Sequence, residues 1–351
     1  MKRQIRIGNL TIGPGAPIRV ESMLKTRLDD TGACLGQLWS LKAEGCELVR
    51  VAFPNIGLKD DLKRLNDKTP VTLMADIHFD PALAEAAIEA GVPSIRINPG
   101  NMGSPARLAH VVEMARDRGV VIRIGANSGS VSAHQVRQAR GDKGAALALA
   151  VSEQMEMLLS LKFYDIIVSA KSTDLNESLR ANILLKRSYG DFPFHVGITE
   201  AGSGLDGIVK SACGLSRLFA LGIGDTMRVS LTQDPVDEVK AAYSILRALD
   251  LRHRGATRTS CPTCGRRQWE VAEIVKQIKP LTGDLPDGFS LAVMGCEVNG
   301  PQEAKNAELG IAGTPSGIAI FRRGKVIARA PKEEALEILK KYLPRKQDSG
   351  K

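Results

Sequence analysis

Aromatic side chains are scarce in this chain: two Trp, four Tyr and eight Phe make up 4% of its 351 residues. Binders of single-stranded nucleic acid need stacking rings set among basic residues, and no stretch here interleaves the two. The basic excess, 48 Lys and Arg against 39 Asp and Glu for a net charge of +9, is scattered. It suits the steering of an anionic small substrate or an acidic protein partner. Long apolar runs are also missing. No window approaches the roughly 18 apolar residues of a membrane-spanning helix, and residues 1–8 lack the apolar core of a signal peptide. A cytoplasmic protein with neither a membrane nor a nucleic-acid role is expected. Only six cysteines are present; a chain of this length does not need disulfide staples, and in a reducing compartment a Cys-x-x-Cys pair reads as a metal or redox site. No internal repeat and no low-complexity segment stands out.

At this length the chain exceeds what one hydrophobic core usually supports, so two domains are expected. Eight short runs rich in Val and Ile fall at 18–22, 47–52, 71–77, 94–99, 120–127, 165–171, 194–200 and 225–230. Segments with helical apolar spacing separate them, among them 81–90, 107–118, 145–162, 175–188 and 236–249. Eight strand-helix units in series predict an α/β protein with a TIM (β/α)8 barrel over 1–251. A polar, basic stretch at 252–258 reads as a linker. A small α/β domain follows over 259–344, with a helix at 269–278, a strand at 289–294, a hairpin at 317–328 and a closing helix at 332–342. The charged tail, 345–351, reads as disordered.

Polar residues gather at the C-terminal ends of the barrel runs: Glu21, Arg50, Asp76 with His78, Arg96 with Asn98, Arg123 with Asn127, Lys171, Glu200 and Arg228. That is the face on which such barrels build active sites, and unpaired charges inside the barrel would cost several kcal/mol. Arg50, Arg96, Arg123, Arg228 and Lys171 form a cationic cup, and the planar Arg fork binds phosphate oxygens in pairs. A phosphorylated or diphosphorylated substrate is implied. Glycines in 98–101 and 127–130 would let backbone amides approach the same anion. Glu200, placed near bound phosphate and shielded from water, would have a raised pKa and could donate a proton; its alternative is an ion pair with one of the arginines.

The second domain carries Cys261 and Cys264 in Cys-Pro-Thr-Cys, then Cys296 and Glu303 in one run. Three thiolates suit a soft metal centre, whereas a carboxylate is harder and more easily displaced, which would leave one iron of a cluster open to a ligand. The turn-forming Asn299-Gly300-Pro301 can fold Glu303 back toward Cys296. Zinc would accept the same donors, and a zinc-stabilised barrel binding phosphorylated ligands or RNA is the competing reading. Thioredoxin-like exchange is disfavoured because no strand is evident before the Cys-x-x-Cys pair. Cys34, Cys46 and Cys213 fall in helical patterns and read as buried structural thiols.

Six stretches together carry a resemblance: Ala-Asp-Ile-His-Phe-Asp at 75–80, Arg-Ile-Asn-Pro-Gly-Asn at 96–101, Gly-Ile-Thr-Glu-Ala-Gly at 197–202, Gly-Ile-Gly-Asp-Thr at 222–226, Cys-Pro-Thr-Cys at 261–264 and Gly-Cys-Glu-Val-Asn-Gly-Pro at 295–301. Over nearly its whole length the chain resembles the 4-hydroxy-3-methylbut-2-enyl diphosphate synthase family. The resemblance implies a 4Fe-4S cluster on Cys261, Cys264, Cys296 and Glu303. It also implies reductive opening of 2-C-methyl-D-erythritol 2,4-cyclodiphosphate with loss of a hydroxyl as water. In that scheme Glu200 and Glu303 are catalytic, substrate oxygen replaces Glu303 on the unique iron, and Arg50, Asp76, Arg96, Asn98, Arg123, Asn127, Lys171 and Arg228 bind substrate. It further implies electrons from flavodoxin or ferredoxin, and a homodimer in which the cluster domain of one chain caps the barrel of the other. Gln302 stands where the family usually has glycine, and the expectation is that the loop tolerates it.

Overall fold

A computed structural model describes residues 2–78, 80–98, 104–283 and 285–344 and divides the chain into two compact units, Met1–Ile245 and Leu246–Lys351. The disordered-tail expectation and Pro99–Asn101 of the first glycine loop lie outside the described residues.

The first unit opens with a hairpin, β1 (Ile5–Ile7) and β2 (Leu10–Ile12), and continues with eight parallel strands. These are β3 (Arg19–Met23), β4 (Leu48–Ala52), β5 (Thr72–Asp76), β6 (Ser94–Ile97), β7 (Val121–Asn127), β8 (Ile166–Lys171), β9 (His195–Val196) and β10 (Thr226–Met227). They pair in the order β8-β7-β6-β5-β4-β3-β10-β9, and a bridge between Val168 and Phe194 joins the two ends into a barrel. The expected eight-stranded parallel barrel is therefore present. Its strands are short β-branched runs buried on both faces, as parallel strands covered by helices must be; all six residues of β8 are buried.

Several acids in the barrel's loops serve the helices that follow them. Asp80, Asp142 and Asp174 each accept from a backbone N–H in the first turn of the following helix, which satisfies donors the helix cannot pair itself. Asp142 also pairs with Arg180 at 3.2 Å.

The hairpin was not foreseen. Ile5, Ile7 and Ile12 pack with Leu48, Met74, Val121 and Ile167. Leu48 and Val121 begin β4 and β7, so the hairpin plugs the N-terminal end of the barrel and leaves the opposite rim to the polar side chains. Its alternation of apolar and polar residues spans only three residues per strand, too few for a period to show.

In the second unit β11 (Thr257–Ser260), β12 (Ser290–Met294), β13 (Leu309–Thr314), β14 (Gly317–Arg322) and β15 (Lys325–Ala330) form one sheet in sequence order, parallel through β13 and antiparallel after it. Helices Val271–Ile278 and Ala335–Tyr342 bury Val271, Ile278, Ala335 and Leu339 against Leu291, Val293, Ile311 and Ile320. Two expectations change. Thr257 and Arg258, read as linker, begin β11, so a strand does lead directly into Cys261. Polar Thr-Arg-Thr-Ser hides it, being three-quarters exposed on an edge strand. The thioredoxin-like reading still fails on geometry, because the next helix starts only at Val271, well past Cys264.

The barrel cysteines also differ from expectation. Cys34 is buried in helix Thr31–Ala43, and Cys46 is buried in the loop before β4. Cys213 is exposed, because helix Gly204–Ala220 turns Ser211, Gly214 and Leu215 inward and leaves position 213 on the outer face.

Ile7 is fully buried in the plug. Ile7→Ala should lower barrel stability by about 2–5 kcal/mol, measured as a shift in the urea midpoint at unchanged m-value.

Candidate active site

Strand ends β4 to β8 and the segments after β9 and β10 converge on one polar cavity. Arg50, Asp76, His78, Arg96, Arg123, Asn127, Ser169, Lys171, Thr199, Arg228 and Ser230 line it, with Ile124 and Gly125. Seven of the eight side chains expected to bind substrate thus share one wall. Asn98, half-buried just past β6, is not in the lining. Neither is Glu200, whose neighbour Thr199 is.

Three carboxylates hold these cations in place, and Glu238 alone among them was not legible. Glu21 accepts from Arg123 Nη1 at 2.5 Å, with both side chains almost fully buried. Burial pushes the Glu21 carboxyl up, but Arg123, by charge and hydrogen bond, with Arg50 and Lys171, outweighs it and holds the group below its ordinary 4.5. Asp76 lies 3.3 Å from Arg50 Nε and 3.4 Å from Arg96 Nη1. Burial opposes its charge too, yet Arg50, His78 and Arg96 draw its pKa well below the carboxylate range. Glu238, fully buried in the first turn of helix Pro235–Ala248, takes Arg228 Nε and Nη2 at 3.2 Å each and also accepts from Ser22 and from the Leu231 N–H.

Arg50 is pulled down to about 10, first by burial and then by Arg123 and Arg228, against the favourable pull of Asp76 and Glu21; it stays protonated at neutral pH. The Met23 thioether lies 3.0 Å from Arg50 Nη2 and 3.6 Å from Arg228 Nη1, a soft acceptor between two guanidiniums. Arg123 Nη2 is buried with no acceptor among the described residues, an unsatisfied donor in the wall of the cavity. Four arginines face three carboxylates, so the wall keeps a positive surplus for a ligand before Lys171 is counted.

Two loop expectations change. Asn127 caps the turn Ser128–Ser130, and its backbone N–H donates to Ser130 Oγ at 3.0 Å, so that amide is not offered to an anion. Glu200 is exposed and left-handed at φ 51°. The shielding that would make it a proton donor is not supplied by the barrel itself.

In the second unit Cys261 follows β11 and Cys296 lies two residues past β12. Because those strands are parallel neighbours, with Ser260 opposite Val293, their C-terminal ends bring together thiols far apart in sequence. Cys261, Cys264 and Cys296 line one hollow of about 170 Å³ with Thr263, Arg266, Arg267 and Asn299. The Gly295 N–H donates to Cys261 Sγ at 3.1 Å. The connecting loop is pinned by Trp269 Nε1 to Met294 O and Gln268 N to Gly295 O, both 2.8 Å.

Residues Val298–Glu303 form a single π-helical turn, a form frequent at functional sites. Gly300 has to be glycine there, since a Cβ would sit 2.7 Å from that of Ala312. Asn299 bridges the donors: its Oδ1 accepts from Cys296 Sγ at 3.4 Å and its Nδ2 donates to Glu303. Gln302 is exposed and is not among the described residues with positive φ, so the turn accepts it without backbone strain. No three of the described His, Cys, Asp and Glu side chains approach closely enough to hold a single metal ion. Three thiols spread around a hollow of that size, one of them already accepting a backbone N–H, suit a larger thiophilic group such as an iron–sulfur cluster.

Glu21 gives a prediction with a definite pH dependence. Its folded pKa is depressed, so its stabilisation is complete above the unfolded value and is lost as pH falls through the folded one. Glu21→Gln should cost about 3–5 kcal/mol at pH 7 by leaving Arg123 buried and unpaired. The gap from the parent in urea midpoint should narrow in acid.

Two family descriptions match in order: the GcpE TIM-barrel domain over residues 2–243 and the GcpE protein C-terminal domain over 257–345. The chain is 45% identical to the 4-hydroxy-3-methylbut-2-en-1-yl diphosphate synthase (flavodoxin) of Lawsonia intracellularis, covering 93% of this chain and 90% of that one. To the enzyme of the same name from Natranaerobius thermophilus it is 43% identical over 97% and 95%. Among solved structures, dihydropteroate synthase of Yersinia pestis superposes with a TM-score of 0.50 at 11% identity, over 71% of this chain and all of the other. That likeness concerns the barrel fold alone. On the two domain matches and the identity to these relatives, the chain belongs to the GcpE family.

Proposed function

We propose that this chain is a flavodoxin-dependent 4-hydroxy-3-methylbut-2-en-1-yl diphosphate synthase of isoprenoid precursor biosynthesis, working as a homodimer in the cytoplasm. It opens the ring of 2-C-methyl-D-erythritol 2,4-cyclodiphosphate and removes a hydroxyl as water, consuming two electrons and a proton. The observation that carries this reading is the single polar cavity where four arginines and Lys171 meet at the C-terminal rim of the barrel.

Arg50, Arg96, Arg123, Lys171 and Arg228 bind the diphosphate, with Arg123 Nη2 as an open donor. Asp76 and Glu238 orient the arginine forks before substrate arrives, so little ordering remains to be done on binding. Asn98 and Asn127 hold the organic part of the substrate, and Glu200 delivers the proton that leaves with the hydroxyl. A 4Fe-4S cluster held by Cys261, Cys264, Cys296 and Glu303 supplies single-electron chemistry when bound. Asn299, linking Cys296 to Glu303, keeps the carboxylate close yet exchangeable.

Anaerobic turnover of the cyclodiphosphate with a one-electron reductant, followed as linear diphosphate, tests the activity. Protein prepared without oxygen should be brown, contain iron and sulfide in equal amounts, and bleach on reduction; colourless protein containing zinc would refute the reading. Asn299→Ala should lower cluster occupancy or turnover by about 10–100-fold. Gln302→Gly should change either by less than about twofold, since Gln302 is exposed and its backbone is unstrained.

A further inference from the structure

His195 has no part in the chemistry above, yet it touches the side chain that lines the cavity. It lies on β9, fully buried, between its register partner Thr226 on β10 and Lys171 at the end of β8. Both ring nitrogens are engaged. Nε2 is 2.8 Å from Lys171 Nζ; Nδ1 is 2.8 Å from Thr226 Oγ1 and 3.4 Å from Glu21 Oε2.

The ionised Glu21 carboxylate can only accept, so on a neutral ring the proton belongs on Nδ1, toward Glu21 and Thr226, and Nε2 presents its lone pair to Lys171. A second ring proton would point at Lys171 with Arg123, Arg50 and Arg228 nearby and no water to screen it. Burial first, then Lys171 and those arginines, hold the imidazole well below its ordinary 6.5. Burial and the same arginines also lower Lys171, against the pull of Glu21. Gly197 lets its own backbone approach the lysine stem closely: a Cβ there would lie in contact with Lys171 Cε at 3.6 Å and would clash with the Arg228 carbonyl at 2.6 Å. The stem is four carbons long, and His195 Nε2 is the partner that fixes its head.

We propose that His195 is a positioning residue: as a neutral imidazole protonated on Nδ1, it accepts a hydrogen bond from Lys171 and fixes that head at the wall where the anionic substrate binds. This rests on the function proposed above. A histidine that merely filled the core would be replaceable by any side chain of similar volume. A positioning acceptor needs its oxygen or nitrogen in one place.

Glutamine can set an amide oxygen near the Nε2 position, whereas asparagine reaches only as far as Nδ1. In the holoenzyme, His195→Asn should raise KM for the cyclodiphosphate about tenfold, the scale of one lost hydrogen bond at a charged group, with kcat little changed. His195→Gln should bring KM back to within about threefold of the parent. Equal KM in parent and Asn variant, or a Gln variant no better than Asn, overturns the proposal. Nitrogen-15 NMR of the histidine-labelled, otherwise unmodified protein decides the matter if the Asn variant does not fold. The resonance lost in His195→Gln should belong to a neutral Nδ1–H ring that does not titrate between about pH 6 and pH 8.5; an Nε2–H ring, or one that titrates there, overturns it. Should the parent fail to turn over the cyclodiphosphate, the function is wrong. The same variants are then compared by inorganic pyrophosphate binding, where the Asn loss and Gln rescue are again expected and their absence is again fatal.

Discussion

The barrel depends on compensating a cluster of cations concentrated at one end of its interior. Arg123 is the largest of the fully buried side chains, and a guanidinium there would be prohibitive without Glu21 at hydrogen-bond distance. Asp76 does the same for Arg50 and Arg96, and Glu238 for Arg228. Compensation is incomplete, and the positive remainder suits the cavity to an anion and keeps it from being a salt-bridged core. The N-terminal hairpin belongs to the same economy of space: by filling the other end with Ile5, Ile7 and Ile12, it confines polarity to the catalytic rim.

The second unit solves a related problem with parallel strands. Thiols that must act together leave the same edge of a sheet because β11 and β12 run side by side in the same direction. The π turn then adds one residue to a helical repeat, and Asn299 joins the carboxylate to the third thiol. Soft and hard donors are thereby attached to the sheet with different rigidity. Cys261 and Cys296 are anchored by strand ends, and Glu303 is exposed and tied through an amide.

Much of this was legible in residue order. Eight β-branched runs alternating with helical spacing imply the barrel, and Arg50, Arg96, Arg123, Lys171 and Arg228 mark its functional rim because charge at the end of a buried strand requires a purpose. Glu238 and His195 gave no such signal. Glu238 looks like any acidic residue in a helix's first turn, and His195 like a polar residue at the start of a strand; only the neighbouring strands and helix show that one grips Arg228 and the other Lys171. Strand β11 was hidden by its polar composition, and Cys213 by a helical phase that apolar spacing over Gly204–Ala220 leaves ambiguous.

Chain chemistry alone determined the kind of molecule: the hydrophobic period sets strand against helix, and the donor types, three thiols and a carboxylate beside a set of guanidiniums, point to a thiophilic metal or cluster and an anionic ligand. Tertiary structure decided which carboxylate faces which cation, which tautomer His195 adopts, and that Glu200 stands in solvent while Gln302 rests without strain. Those outcomes depend on distances of a few ångströms between residues far apart in sequence, 102 positions in the pairing of Arg123 with Glu21 and 216 in that of Ser22 with Glu238. Local pattern carries no record of such distances, because pairing and desolvation exist only once the strands have closed.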